Sequence, residues 1–311
     1  MIYTVTLNPA IDYIVNMPSL TIGSINRVHE AAIQLGGKGV NVSTMLKTLG
    51  HQSVALGFTA GRTGAALEEG LKAAGQSVDF TRLASGFTRI NVKIKAGQET
   101  EINGAGPLIA SADVEALAAK LEALVDGDAL VLAGAAPPGA APDVYARLLA
   151  RVQNRRVLAV VDAAGELFRR TLAHEPFLVK PNRLELEEIC GRRLADEPKI
   201  VEAARELRQK GARNVLVSLA GDGALLVDQD GQAWRMGSVA GNVRNSVGAG
   251  DSMVAGFLAG HLSGRDFGQA LKLGAAAGTA TAFSAVMADQ AAVLAMLAQL
   301  PEPVRLGAAS A

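Results

Sequence analysis

From residue 112 to residue 218 the chain alternates between helix-length amphipathic stretches and short apolar runs. The apolar runs are Ala129 to Ala133, Val157 to Val161, Phe177 to Val179 and Asn214 to Ser218. Helical patterns over 112–124, 142–152, 164–173, 183–190 and 198–210 lie around and between them. Strands separated by helices are joined by crossovers rather than hairpins, which implies a parallel sheet covered on both faces. Ligands of such sheets bind beyond the carboxyl ends of the strands. Asn8, Gly134, Asp162, Lys180-Pro181-Asn182 and Ser218 all fall at strand ends.

The first hundred residues extend this pattern. Ile2 to Leu7 reads as a strand closed by Asn8-Pro9, and Ile11 to Val15 and Asn26 to Gln34 read as extended. Gln52 to Phe58 and Val78 to Leu83 are strand-like around a helix over 63–74. Thr88 to Lys95 alternates polar and apolar strictly and pairs with Glu99 to Asn103 as a hairpin across Ala96-Gly97-Gln98. Arg89, Asn91, Lys93 and Lys95 therefore share a face opposite Ile90, Val92 and Ile94. That face is either a solvated sheet surface or a lid whose polar side covers an anionic substrate. A second hairpin is expected from Gly223 to Met236, with helices after Gly250.

Two glycine-rich segments enter helices. Leu35-Gly36-Gly37-Lys38-Gly39-Val40-Asn41 opens one that runs to about Leu49. It is not a P-loop, because Gly39 follows Lys38 where Ser or Thr is required. It reads either as a plain strand–helix turn or as a ligand loop presenting Lys38 and Asn41. The other segment is Ser246-Val247-Gly248-Ala249-Gly250-Asp251-Ser252. Asp251 falls at a helix start, where orphan N–H groups and the positive dipole end favour anions and an ionised carboxylate. It is either a helix cap or the base of a phosphoryl-transfer site.

Lys+Arg and Asp+Glu are both 30, which gives no electrostatic footprint for nucleic acid or an anionic membrane. The single cysteine, Cys190, permits no internal disulfide and points to the cytoplasm. It sits at helical spacing and reads as a buried thiol. The N-terminal residues lack a basic and long apolar leader. The run from Ala270 to Ala288 is Ala- and Gly-rich and carries Lys272, so it reads as a packed helix rather than a membrane span. His29, His51, His174 and His261 lie outside the motifs, and no bound transition metal is predicted.

Five ordered motifs carry a resemblance over essentially the whole chain. They are Thr6-Leu7-Asn8-Pro9-Ala10-Ile11-Asp12, Gly36-Gly37-Lys38-Gly39-Val40-Asn41-Val42, Thr88-Arg89-Ile90-Asn91-Val92-Lys93, Val179-Lys180-Pro181-Asn182-Arg183-Leu184-Glu185-Leu186 and Val247-Gly248-Ala249-Gly250-Asp251-Ser252. The sequence resembles the ribokinase-like carbohydrate kinases of the phosphofructokinase B type, within their hexose-phosphate branch. The resemblance implies a doubly wound, mainly parallel α/β sheet with helices on both faces. It implies one kinase domain over 1–311, with a small β-sheet lid from about 11–36 and 87–107 and a homodimer formed through that lid. It makes Asp251 the base and the N–H groups of Gly248, Ala249 and Gly250 the anion hole. Asp12, Gly37 and Asn41 would bind the sugar. Lys38 and Arg89 would meet its phosphate, with Arg27, Lys93 and Asn103 as further candidates. Lys180, Asn182 and Glu185 would lie near the nucleotide phosphates, Glu185 holding Mg²⁺ indirectly. Ser218, Gly221 and Gly223 fit the ATP turn, and Ser238 and Val239 the adenine slot.

The implied reaction is ATP- and Mg²⁺-dependent phosphorylation of a ketohexose monophosphate. Fructose 1-phosphate, giving the 1,6-bisphosphate, is the expected acceptor; tagatose 6-phosphate and fructose 6-phosphate are the rivals. A non-catalytic sugar-phosphate sensor has no use for Asp251, and a Rossmann dehydrogenase lacks its Gly-x-Gly-x-x-Gly after the first strand. Three departures from the family pattern stand out. Asn245 and Ser246 replace an acidic residue and Thr, Ala135 removes a hydroxyl, and Ala220 replaces a common Gly.

Overall fold

The computed structural model describes residues 1–307. In chain order the elements are β1 (Ile2–Thr6), β2 (Ala10–Asn16), β3 (Glu30–Gly36), α1 (Lys38–Thr48), β4 (Ser53–Ala60), α2 (Gly61–Ala73), β5 (Ser77–Val78), β6 (Thr81–Leu83), β7 (Arg89–Ala96) and β8 (Gln98–Asn103). There follow α3 (Ser111–Lys120), β9 (Ala129–Ala133), α4 (Val144–Ala150), β10 (Leu158–Asp162), α5 (Gly165–Arg169), β11 (Leu178–Val179), α6 (Arg183–Cys190), α7 (Glu197–Gln209) and β12 (Asn214–Ser218). The last are β13 (Ala224–Val227), β14 (Ala233–Met236), α8 (Ala249–Leu262), α9 (Phe267–Phe283), α10 (Gln290–Gln299) and β15 (Val304–Leu306).

Among the described residues eleven strands form the main sheet, in the order β15-β14-β13-β12-β11-β10-β9-β1-β4-β5 with β6 also on β4. From β4 to β12 the pairing is parallel. The β13–β14 hairpin and β15 add an antiparallel edge. The apolar runs of β9 and of β10 up to Val161 are buried on both sides, as parallel strands between helix layers must be. On one face Leu117, Leu148, Phe168, Leu186 and Leu207 of α3, α4, α5, α6 and α7 close one core. On the other, Met45 of α1, Phe257 of α8, Leu271 of α9 and Val293 of α10 close a second. Gly256 and Gly274 let α8 and α9 touch backbone to backbone, since a Cβ at Gly256 would stand 2.7 Å from the Leu273 carbonyl.

β2, β3, β7 and β8 form a separate four-stranded sheet in the order β3-β2-β7-β8. β2 continues from β1 through the turn at Asn8-Pro9. The polar face of β7 is not a solvated surface. Asn91 and Lys93 are buried, whereas Tyr13, Ile33, Ile90 and Ile102 on the apolar face are 38 %, 67 %, 43 % and 58 % exposed. The alternation was legible, but which side faces water was not, because the polar side folds over other polar groups.

Other differences are local. The run Val78 to Leu83 is interrupted where Phe80 turns into a small cluster with Val40, Leu67 and Leu71. Register is kept across the gap, with Ala55 opposite Val78 and Phe58 opposite Thr81. α4 and α5 are shorter than their patterns, and α5 is followed by a tight 3₁₀ turn at Leu172–His174. β15 was not foreseen, since three residues carry no usable periodicity.

Candidate active site

α8 begins with Gly248 as its N-cap at φ +80°, a conformation that favours glycine. Asp251 lies in the first turn and is buried. The Asn41 side-chain amide on α1 donates to Asp251 Oδ2 at 2.8 Å. Burial, and after it the charge of Asp162, push the Asp251 carboxyl up to about 6; the Asn41 bond, Lys38 and Lys180 pull the other way. The helix N-terminus was expected to keep this carboxylate comfortably ionised. Desolvation outweighs it and leaves a group that titrates just below neutrality, where a base is most effective.

Beneath Asp251, Asp162 ends β10 with 1 % exposure. Its Oδ1 accepts from Lys38 Nζ at 3.1 Å and from Lys180 Nζ at 3.3 Å, and its Oδ2 has no partner. Burial works against the charges of Lys38 and Asp162. For Lys38, Asp162 and then Asp251 outweigh burial, so its pKa rises. For Asp162 the two lysines outweigh burial and its pKa falls. Lys180 lies close enough to the helix that a Cβ on Gly250 would sit 3.4 Å from its Nζ. Gly37 stands at φ +124° and could not carry a side chain, since a Cβ would meet Thr6 Cγ2 at 2.6 Å. Lys38 and Asn41 thus start α1 directly over β1.

The small sheet adds a second cluster. Asn91 donates to Asp12 Oδ1 at 2.8 Å, and Lys93 pairs with Asp12 Oδ2 at 3.3 Å. Asp12 keeps acceptor capacity beyond these two bonds, because an ionised carboxylate has about four lone-pair sites. Arg89 is half-buried; burial pulls its pKa down while Asp12 pushes it up. Its Nη1 reaches the Gly104 carbonyl at 3.4 Å, but its buried Nε has no acceptor. An unsatisfied buried guanidinium donor costs free energy until an acceptor such as a phosphate oxygen arrives.

At the next strand ends, Asn182 and Glu185 cap α6 reciprocally. The Asn182 side chain accepts from Glu185 N at 2.9 Å, and Glu185 Oε2 accepts from Asn182 N at 2.7 Å. Both residues were read as ligand groups, and both hold a helix start as well. Ser218 pairs with Asn182 in an isolated parallel bridge. The turn after it places Ala220 at φ +50° and Gly223 at φ +92°. The Gly-to-Ala departure at 220 therefore costs the left-handed strain a glycine avoids. Asn245, another departure, accepts from Val247 N at 3.1 Å and so shapes the approach to α8.

Lys38, Asn41, Asp162, Lys180, Gly250 and Asp251 are joined by these contacts into one region at the carboxyl ends of β10 and β11, while Asp12 stays in the second cluster, beside Gly36 where the chain enters α1. Arg27 is not brought to it; it projects from the exposed 17–29 segment. Lys93 is buried and committed to Asp12, with Glu101 at 3.8 Å, rather than free for a phosphate. Asn103 is exposed and donates to Glu101. Ser238 and Gly221 are exposed, and Val239 packs on the second core. Asn91 and Asp162 were noticed only by position, on a sheet face and at a strand end. Tyr145 gave no signal: a core aromatic by pattern, its hydroxyl donates to the Gly134 carbonyl at 3.0 Å.

Known proteins resemble this chain along nearly its full length. The model of the pfkB family of carbohydrate kinases matches residues 5–288. A Bacillus subtilis 1-phosphofructokinase is 42% identical over 284 residues, covering 91% of this chain and 93% of the relative. A Bacillus licheniformis D-tagatose-1-phosphate kinase is 36% identical over 290 residues, covering 93% and 95%. The Escherichia coli phosphofructokinase-2 solved with fructose-6-phosphate superposes with a TM-score of 0.90 at 27% identity, covering 96% of this chain and 98% of that one.

Proposed function

The chain belongs to the pfkB family of carbohydrate kinases, and from that premise we propose that it transfers the γ-phosphoryl group of ATP to the free primary hydroxyl of a ketohexose 1-phosphate. Fructose 1-phosphate is the acceptor, and the 1,6-bisphosphate and ADP are the products. The observation that carries this reading is Asp251. A buried carboxylate titrating at about 6, in the first turn of a glycine-capped helix and flanked by two lysines, is a base placed beside an anion hole.

Asp251 takes the proton of the acceptor hydroxyl as that oxygen attacks the γ-phosphorus, and the bond from phosphorus to the ADP oxygen breaks. The N–H groups at Gly248, Ala249 and Gly250 and the Lys180 ammonium meet the charge on the transferring group. Donors fixed before the reaction favour the transition state over the ground state. Lys38 and the unpartnered Arg89 Nε grip the phosphate already on the sugar. Asp12, set by Asn91 and Lys93, and Asn41 orient sugar hydroxyls. The 180–185 and 218–223 segments flank the nucleotide, with Ser238 and Val239 toward its base.

Mg²⁺ neutralises charge between the nucleotide phosphates when bound. The donor set fits that ion: Glu185 brings a carboxylate to the start of α6, and Mg²⁺ characteristically takes one or two carboxylates, waters and phosphates. Glu185, with one oxygen used in the cap, would hold it through water.

We read residues 1–311 as one kinase domain, of which 308–311 lie outside the described residues. The small sheet, from about 11–36 and 87–107, serves as a lid that excludes water. Its outer row Ile33, Tyr13, Val92 and Ile102 is continuous across all four strands. An apolar row of that kind suits the lid of a second copy, which makes the protein a homodimer. No helix among the described residues is long and apolar enough to cross a membrane. The lone cysteine, Cys190, supports a reducing compartment, and we place the kinase in the cytoplasm.

The 36%-identical tagatose-1-phosphate kinase favours a second acceptor, tagatose 1-phosphate, which differs from fructose 1-phosphate only at C4. ADP release with each sugar, with the position of the new phosphate read by NMR, separates the two. Turnover confined to 6-phosphates removes both.

A further inference from the structure

We propose that Asp162 is a positioning residue for the transfer step: its buried carboxylate holds Lys38 and Lys180 together beside the base, Asp251. The proposal rests on the phosphoryl-transfer reading given above.

Three observations point to it. Both ammonium groups, brought from α1 and from the loop after β11, converge on the same oxygen, at 3.1 and 3.3 Å. Asp162 is itself fixed: its carbonyl accepts from Gly134 N at 2.9 Å, and Gly134 is held from its other side by the Tyr145 hydroxyl. Its Oδ2 is buried without a partner, a cost that a purely structural ion pair would not need to carry.

The arrangement has a direct consequence for Asp251. The groups facing that carboxylate are Asn41 and Lys38 from α1, Lys180 from the loop after β11 and Asp162 from the end of β10; Glu185 of α6 acts on Lys38. Asp162 raises the proton affinity of Asp251 directly. It also neutralises part of the two lysines that would lower it. Losing the charge removes both effects, and both losses move the base the same way, to lower pKa. The freed lysines lose the geometry that aims one at the sugar phosphate and the other at the helix entrance.

The test compares wild type with Asp162→Asn and Asp162→Glu in pH–rate profiles at saturating substrates, with KM measured for sugar phosphate and for ATP. Asp162→Asn is expected to lower kcat about 10- to 100-fold and to move the acid limb down by about one pH unit. Asp162→Glu keeps the charge and is expected to keep the acid limb while losing rate. Should Asp162→Asn not fold, Asp162→Asn with Lys180→Met removes the stranded buried amine. Lys180→Met alone is then its reference, with the same downward shift expected. An acid limb and both KM values unchanged, with only the melting temperature lowered, would overturn the proposal. Wild-type turnover in the same assays reads the phosphoryl-transfer premise separately.

Discussion

Asn41 on α1 and Asp251 on α8 are 210 residues apart in sequence and 2.8 Å apart in space. The bond joins the two glycine-entered helices at their first turns. It fixes one oxygen of Asp251 and, in the proposed reaction, leaves the other for the substrate proton. It also favours the charged form of the carboxylate against burial. Asn41→Ala is therefore expected to lower kcat about 10- to 100-fold and to shift the acid limb of the pH–rate profile upward. Steady-state rates between pH 5 and 9 check both.

Asp251 also couples activity to stability. Its folded pKa of about 6 lies above its ordinary 3.8, so the folded protein holds this proton more tightly than the unfolded chain. The stabilisation is full below 3.8 and is lost as pH rises through 6, a difference on the order of 3 kcal/mol. Asp251→Asn is expected to melt a few degrees above wild type at pH 8. The gap should close toward pH 4. Calorimetry at the two pH values gives the answer, and an equal gap at both contradicts the assignment of burial as the cause.

Arg89 carries a different prediction. Its buried, unpartnered Nε is suited to an oxygen of the sugar's existing phosphate. Arg89→Met should raise KM for the sugar phosphate about 100-fold, in line with the loss of a charge-assisted bond. KM for ATP should change little. Equal loss for both substrates would move Arg89 out of the acceptor site.

The outer face of the small sheet predicts assembly. Ile33 and Ile102 are well exposed and lie in one row with Tyr13 and Val92. Ile33→Asp with Ile102→Asp should convert a sedimenting dimer to monomer. A wild type that sediments as a monomer, or a dimer indifferent to these charges, rejects the lid-to-lid contact.

The alternation of strands and helices was legible because parallel strands buried on both sides are written as unbroken apolar runs. Gly37 and Gly248 were legible because both positive φ angles favour glycine, and at Gly37 a Cβ would also meet Thr6 Cγ2 at 2.6 Å. What the sequence hid is three-dimensional pairing. Lys93 and Arg89 look alike on one strand face, yet one is neutralised by Asp12 and the other keeps an orphan donor. Arg27 has the right charge but lies on an exposed segment outside both sheets. Asp162 follows an apolar strand like many strand-end residues, and only the fold shows that two lysines from distant segments share one of its oxygens. The raised Asp251 titration was missed because a helix start argues for a low pKa, and burial, which wins, has no sequence signature.

The most direct measurement is ADP release from ATP and Mg²⁺ with fructose 1-phosphate, for wild type and Asp251→Asn, beside calorimetric binding of the sugar phosphate to each. Rapid wild-type turnover is expected, with a loss of about two orders of magnitude or more in the variant and sugar-phosphate affinity within about threefold. An Asp251→Asn enzyme that turns over near the wild-type rate would contradict the base assignment. A wild type that binds the sugar phosphate tightly yet releases no ADP would make the protein a sensor rather than a kinase.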